Sequence, residues 1–210
     1  MIYPHWHYFT TLVDDLKHSS RYVETCRANF KTFSIEYARI ILAACSEIDV
    51  VAKILCDKAQ SGNKAENIDS YREIITQRFP NLATIEISMP SVGLDFIPWE
   101  SWAQRRNPNW WKSYNNVKHK RDKHFEEANL ENTLQSVSGL CVLVCQLYHI
   151  ELASHKLTTP DFLFLGTQYA FGAAFVGQPS FHLPDGCRPQ GTWELREKKQ
   201  YHVPDQKLSG

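Results

Sequence analysis

The sequence predicts a mainly α-helical fold. Two long segments, Ser34 to Gln60 and Phe125 to Leu152, repeat apolar residues at three- and four-residue intervals, the spacing of one helix face. A third, shorter segment, Asn67 to Arg78, does the same. Between the helical segments lies a stretch, 81–109, with little periodicity and three prolines, Pro90, Pro98 and Pro108.

Taken in order, residues 6–30 contain a helix, marked by Phe9, Leu12, Val13 and Leu16. In the second helix Ser34 is the expected N-cap and Ile41, Cys45, Ile48, Ala52 and Leu55 form the buried stripe. Leu42 and Val51 widen that stripe, so the helix is covered on more than one side. Gly62-Asn63 stops it. Phe79-Pro80 ends the third helix. Residues 81–109 read as a long irregular connection with one short strand, Thr84 to Met89, and with Phe96, Trp99 and Trp102 demanding burial. A connection of this length in a compact domain is often functional. Helix resumes at Trp110, and Leu130, Leu134, Val137, Cys141, Val144 and Tyr148 line one face of Phe125 to Leu152. Residues 153–193, with glycines, prolines and aromatics in short apolar runs, read as a small β-like extension packed on residues 1–152. Residues 194–210 read as a polar, flexible tail.

Composition bounds the function. The chain has 210 residues, 43% of them hydrophobic and 22% charged, with a formal net charge of zero. One core is expected, and global charge singles out neither a nucleic-acid nor a membrane partner. No Cys-x-x-Cys pair occurs among the six cysteines, so no zinc ribbon is expected. Cys45, Cys56, Cys141 and Cys145 read as small core residues rather than disulfides. The pairs His5/His7 and His182/Cys187 lack a matching second pair, and no metal or cofactor is expected. Phe162 to Leu183 carries no charged residue, but Gln168, Gln178, Pro179 and His182 fit strands and turns better than a membrane span. No basic stretch followed by an apolar run opens the chain, so the expected location is cytoplasmic.

Charge is concentrated locally. Between Arg105 and His124 the cationic residues are Arg105, Arg106, Lys112, Lys118, Lys120, Arg121 and Lys123, and the only acid is Asp122. Trp110, Trp111 and Tyr114 are interleaved with them. Cations neutralise phosphates and aromatic faces stack on exposed bases. Helical spacing places Asn115, Lys118 and His119 on one face, with Arg121 three residues beyond Lys118. Histidine titrates near neutrality and serves as general acid or base, while lysine or arginine stabilises charge on a phosphoryl group. A plainer reading stands beside this one: a solvated basic face next to Glu126-Glu127, with the tryptophans in the core.

Two pieces resemble the HEPN superfamily, the higher eukaryote and prokaryote nucleotide-binding domains. One is the helix Tyr37 to Lys53. The other is Tyr-Asn-Asn-Val-Lys-His-Lys-Arg at 114–121 with the helix that follows it. The resemblance covers roughly residues 6–152. It implies an up-down helical bundle that dimerises through the motif helices. Many members are metal-independent ribonucleases in toxin or phage-defence systems, and others are catalytically silent. Their motif is an arginine, a polar residue, and a histidine after four to six residues. His119 matches the histidine and Asn115 the polar residue, but Tyr114 stands where arginine is expected, leaving Lys118 or Arg121 to supply positive charge. The resemblance assigns catalysis to His119, Arg121 and Lys118. Together with the basic, aromatic patterning, it assigns ligand binding to Asn115, Asn116, Tyr114, Trp111, Lys112 and Glu47, with Glu47 orienting His119 or Arg121 or else lying as an ordinary polar position. The implied partners are RNA or a nucleotide, a second copy of the chain, or another protein. The alternative function is a non-catalytic interaction module in which the motif is structural.

Overall fold

The computed structural model describes residues 2–158 and 160–162 and, as backbone, 164–165. Most of the expected 153–193 extension, all of the 194–210 tail, and the pair His182/Cys187 lie outside the described residues.

The architecture is mainly helical. Helix α1 spans Pro4–Ser19 and opens with proline at its first position, where a missing N–H costs nothing. It carries the Phe9, Leu12, Val13 and Leu16 stripe expected within residues 6–30, and beyond Ser19 the described chain turns, with a 3-10 turn at Arg27–Asn29. Helix α2 spans Ile35–Ala59, and the Ser34 side chain accepts the Tyr37 N–H as expected. Helix α3, Ile68–Arg78, starts with a capping box in which Asn67 and Ser70 satisfy each other's backbone N–H groups. Helix α4 spans Asn109–His124, α5 spans Leu130–Leu147 and α6 spans His149–Ala153.

Cross-helix contacts set the directions. Asp15 pairs with Arg39 at 2.7 Å and His5 with Glu47 at 2.6 Å, so α1 runs antiparallel to α2. Tyr3 and Trp6 pack edge-on against Tyr148, so the start of α1 meets the end of α5. At the opposite end an isolated antiparallel bridge joins Phe33 to Asn129, and Leu130 N–H donates to the Thr32 carbonyl at 2.9 Å. Helices α2 and α5 therefore begin side by side and run together, and α4 runs against both. This is an up-down bundle of α1, α2, α4 and α5, with α3 packed on α2.

Phe125 to Leu152 is not one helix. A 3-10 turn occupies Phe125–Glu127, and Asn129 caps α5 by accepting the Asn132 N–H at 3.0 Å. Asparagine competes for backbone groups in this way, and its competition restarts the helix that periodicity alone would continue. The 81–109 connection also holds more structure than expected. Strand β1 (Ile87–Met89) pairs with β2 (Leu94–Phe96) in register Ile87↔Phe96 and Met89↔Leu94. Gly93 closes the turn at φ 65°, a left-handed conformation that favours glycine. Strand β3 (Phe164–Leu165) adds antiparallel to the other side of β1. Cys45, Cys56, Cys141 and Cys145 are all buried, and the described cysteines are free thiols. Among the described residues no helix is long and apolar enough to cross a membrane.

Candidate functional site

Helix α4 is two environments in one element. Its first half buries Trp110, Trp111, Tyr114 and Val117. These belong to a connected aromatic series. Trp102 lies 4.2 Å from Trp99, Trp99 lies 5.0 Å from Trp110 at 77°, and Trp111 lies 5.1 Å from Tyr114. The indole N–H of Trp99 donates to the Gly139 carbonyl at 3.0 Å, and that of Trp110 to the Pro98 carbonyl at 2.9 Å. Buried indoles need such partners. Trp111 and Tyr114 thus have no open face for a base to stack on. Their expected role in ligand binding is corrected to core packing, because α4 turns its apolar side onto α5 and the connection.

The backbone leaves helical geometry at Lys120, with φ −143° and ψ 42°. This kink re-aims Arg121 to His124, so the regular helical spacing from Lys118 to Arg121 does not hold. Lys118, His119 and Arg121 nevertheless come together, because all three line one groove of about 800 Å³. Ile35, Ala38 and Leu42 from α2 line the same groove, with Val117, Asp122 and Phe125. A small apolar cluster of Ala38, Val117 and Ala128, with Leu42 and Phe125 against it, forms the floor. His119 and Arg121 are exposed, and among the described residues neither side chain makes a hydrogen bond or ion pair. Lys118 is tethered: its Nζ donates to the Tyr114 hydroxyl at 3.2 Å and lies 5.4 Å from the centre of that ring. These cations also suit the C-terminal end of α4, where helix carbonyls gather negative charge.

Other expected site residues point elsewhere. Asn115 donates from Nδ2 to the Trp111 carbonyl at 2.9 Å. Asn116 donates to the Glu127 carboxylate at 2.9 and 3.1 Å, and His124 pairs with the same carboxylate at 2.9 Å. Lys112 is exposed and is not among the groove's lining residues. Glu47 does not orient His119 or Arg121; its carboxylate takes the His5 Nδ1 instead. The antiparallel packing explains this, since the end of α4 meets Ile35 to Leu42 and Glu47 lies more than a turn further along α2. Asp49 likewise serves structure, accepting from the Tyr71 hydroxyl at 2.7 Å and from Lys53 at 2.6 Å.

A second groove, of about 720 Å³, opens next to the first. Its carboxylates are Glu100, Glu126, Glu127 and Glu131, its amides Asn109, Asn129, Asn132 and Gln135, and its single cation Lys31. The two grooves meet at an aromatic pair: Phe33 lines the acidic groove, Phe125 the basic one, and their rings pack edge-on at 5.4 Å. Phe33 is 48% exposed and Ile35 is 80% exposed, which makes this junction an apolar ridge on the surface. Sequence reading misses the acidic groove because its residues come from four separated segments. The one local signal is the run Glu126-Glu127 beside the basic stretch.

Burial pushes the Cys45 thiol well up, and the Cys141 contact together with burial does the same for Cys145; neither is poised as a nucleophile. Among the described residues no cluster of three or more metal-ligating side chains forms. No family model, no curated protein and no solved structure matches this chain.

Proposed function

We propose that the groove at the end of α4 binds RNA through its phosphates, with Lys118, His119 and Arg121 as the contacting residues. The observation that carries this reading is the convergence of the three side chains on one open groove, two of them without a side-chain partner among the described residues. The exposed cations Lys118 and Arg121, with the His119 imidazole between them over an apolar floor, suit a polyanion with exposed bases. The HEPN resemblance supports the same reading and supplies a setting, a toxin or phage-defence protein. Buried Tyr114 in place of the motif arginine favours binding over cleavage. If RNA is cut, His119 takes the proton from a ribose 2′-hydroxyl and the 2′-oxygen attacks phosphorus. The bond to the 5′-oxygen then breaks, that oxygen takes up a proton, and a cyclic phosphate remains, while Arg121 or Lys118 offsets charge on the phosphoryl oxygens.

The test has two readouts. Labelled single-stranded RNA is expected to bind the wild type with an affinity that falls as salt rises, and Arg121→Ala is expected to reduce the slope of log K against log salt by about one. An unchanged slope removes Arg121 from the site. Mixed RNA incubated with wild type and His119→Ala, chelator present, decides cleavage. Equal activity in both, or none in either, leaves binding alone.

A second reading has its own observation. The exposure of Ile35 and Phe33 favours an interaction module that buries this ridge against a second copy or another protein. Under it, wild type sediments as a dimer and Ile35→Lys as a monomer, with RNA affinity unchanged by Arg121→Ala.

A further inference from the structure

The acidic groove adjoins the basic one across a single aromatic pair, and its chemistry differs in kind. Phosphate has no place among its carboxylates. A nucleobase does, since amino and imino groups of bases are hydrogen-bond donors and carboxylates accept them. Glu127 is occupied by His124 and Asn116, and Glu131 by Lys31 at 3.1 Å. Glu126 and Glu100 remain, and among the described residues neither carboxylate has a partner. Ser101 is among the residues lining the same groove, but its hydroxyl is shut off from solvent and makes no hydrogen bond among the described residues. Glu126 follows Phe125 directly, at the junction where the grooves meet.

Resting on the RNA reading of the basic groove, we infer that the acidic groove reads the adjoining base and selects guanine, with Glu126 as the specificity-determining residue and Phe33 as the stacking face. Guanine alone presents two neighbouring donors, N1–H and the 2-amino group, on its pairing edge. One carboxylate accepts both in parallel. Adenine and cytosine set one amino donor beside a ring acceptor, which faces a carboxylate lone pair with repulsion. Uracil sets one donor between two acceptors. Phe33, half-exposed at the junction, is the ring that an entering base would stack on under this inference. The sugar–phosphate of that nucleotide then lies over the Phe33–Phe125 pair, within reach of Arg121 and His119 in the first groove.

The experiment uses fluorescein-labelled RNA hexamers of uridine, either unbroken or carrying a single central guanosine, adenosine or cytidine, titrated into the intact chain. The guanosine hexamer is expected to bind about tenfold more tightly than the other three, the scale of one bidentate contact. Glu126→Gln is expected to abolish that preference, so that within the variant the guanosine and uridine hexamers bind alike, and Phe33→Ala to weaken all four alike. Equal binding of the four hexamers to wild type, or a guanosine preference that survives Glu126→Gln, overturns the inference and leaves the phosphate groove standing. Loss of the preference in Glu100→Gln instead overturns the assignment to Glu126. Failure of every hexamer to bind wild type overturns the RNA reading itself and this inference with it.

Discussion

The two halves of α4 lie on one element and make opposite surfaces. From Trp110 to Val117 the helix is held by indole rings and by hydrogen bonds into buried carbonyls. From Lys118 to Lys123 it carries exposed charge with one tether, Lys118 to Tyr114. The first half is fixed by packing, where every methylene counts. The second, tethered through Lys118 and kinked at Lys120, leaves its other cations free to meet something else. A helix that changes character within one turn separates a structural residue type from a functional one more sharply than composition does: its tryptophans stabilise, and its cations wait.

The widest contrast between the halves is in stability. Trp99→Ala, which removes the fully buried ring that joins Trp102 to Trp110, is expected to cost about 3–5 kcal/mol in urea unfolding. Arg121→Ala is expected to stay within about 0.5 kcal/mol of wild type. Similar losses in both would mean that the basic half is also structural. A smaller effect comes from Gly139→Ala. A Cβ there would stand 3.0 Å from Trp110 Cζ2 and 3.1 Å from Cη2, so the buried Trp110 ring must give by a few tenths of an ångström. That overpacking, about 1–3 kcal/mol, is set against the roughly 1 kcal/mol alanine gains over glycine inside a helix, and a smaller net loss is expected by chemical denaturation. Next, Asn129→Ala removes the cap that restarts the chain as α5, and the expected loss is about 1 kcal/mol in thermal unfolding, with the RNA affinity as a second check on the groove beside it.

The smallest effect is a pH dependence at the far end of the molecule. Burial lowers the His149 pKa, opposed by the Gln146 carbonyl that its ring contacts at 2.9 Å. The folded chain therefore keeps a neutral ring where the unfolded chain accepts a proton. The associated stability is complete above the ordinary histidine value of about 6.5 and is lost as pH falls through the lowered folded value. The urea midpoint of wild type relative to His149→Gln is expected to be higher at pH 8 than at pH 5. A difference independent of pH excludes a buried neutral histidine.

The helices were legible because their signals are local. Ser34 and Asn67 are caps with a chemical reason, and the stripe from Ile41 to Leu55 is buried as its spacing requires. The hairpin was only half legible: three-residue strands are too short for an alternation to register, and the Pro90 to Gly93 turn is the better signal. In the site, charge density located the basic groove, but helical spacing misjudged its members. Lys120 breaks the helix, and Asn115 and Asn116 spend their amides on Trp111 and Glu127. The acidic groove and the Glu47–His5 pair arise from contacts between distant segments, which no window along the chain contains.

The bridge between Phe33 and Asn129 has a consequence for the order in which the molecule is made. Beside it Lys31 pairs with Glu131, 100 positions later in the chain. During synthesis α2 emerges before α5, the helix that packs along its central stripe. Helices α1 and α3 can dock on their own sides, but the central seam closes only after α5 has left the ribosome. Closing so long a loop is slow, and the waiting apolar face is the place where a nascent chain of this protein is most exposed to aggregation or to a chaperone.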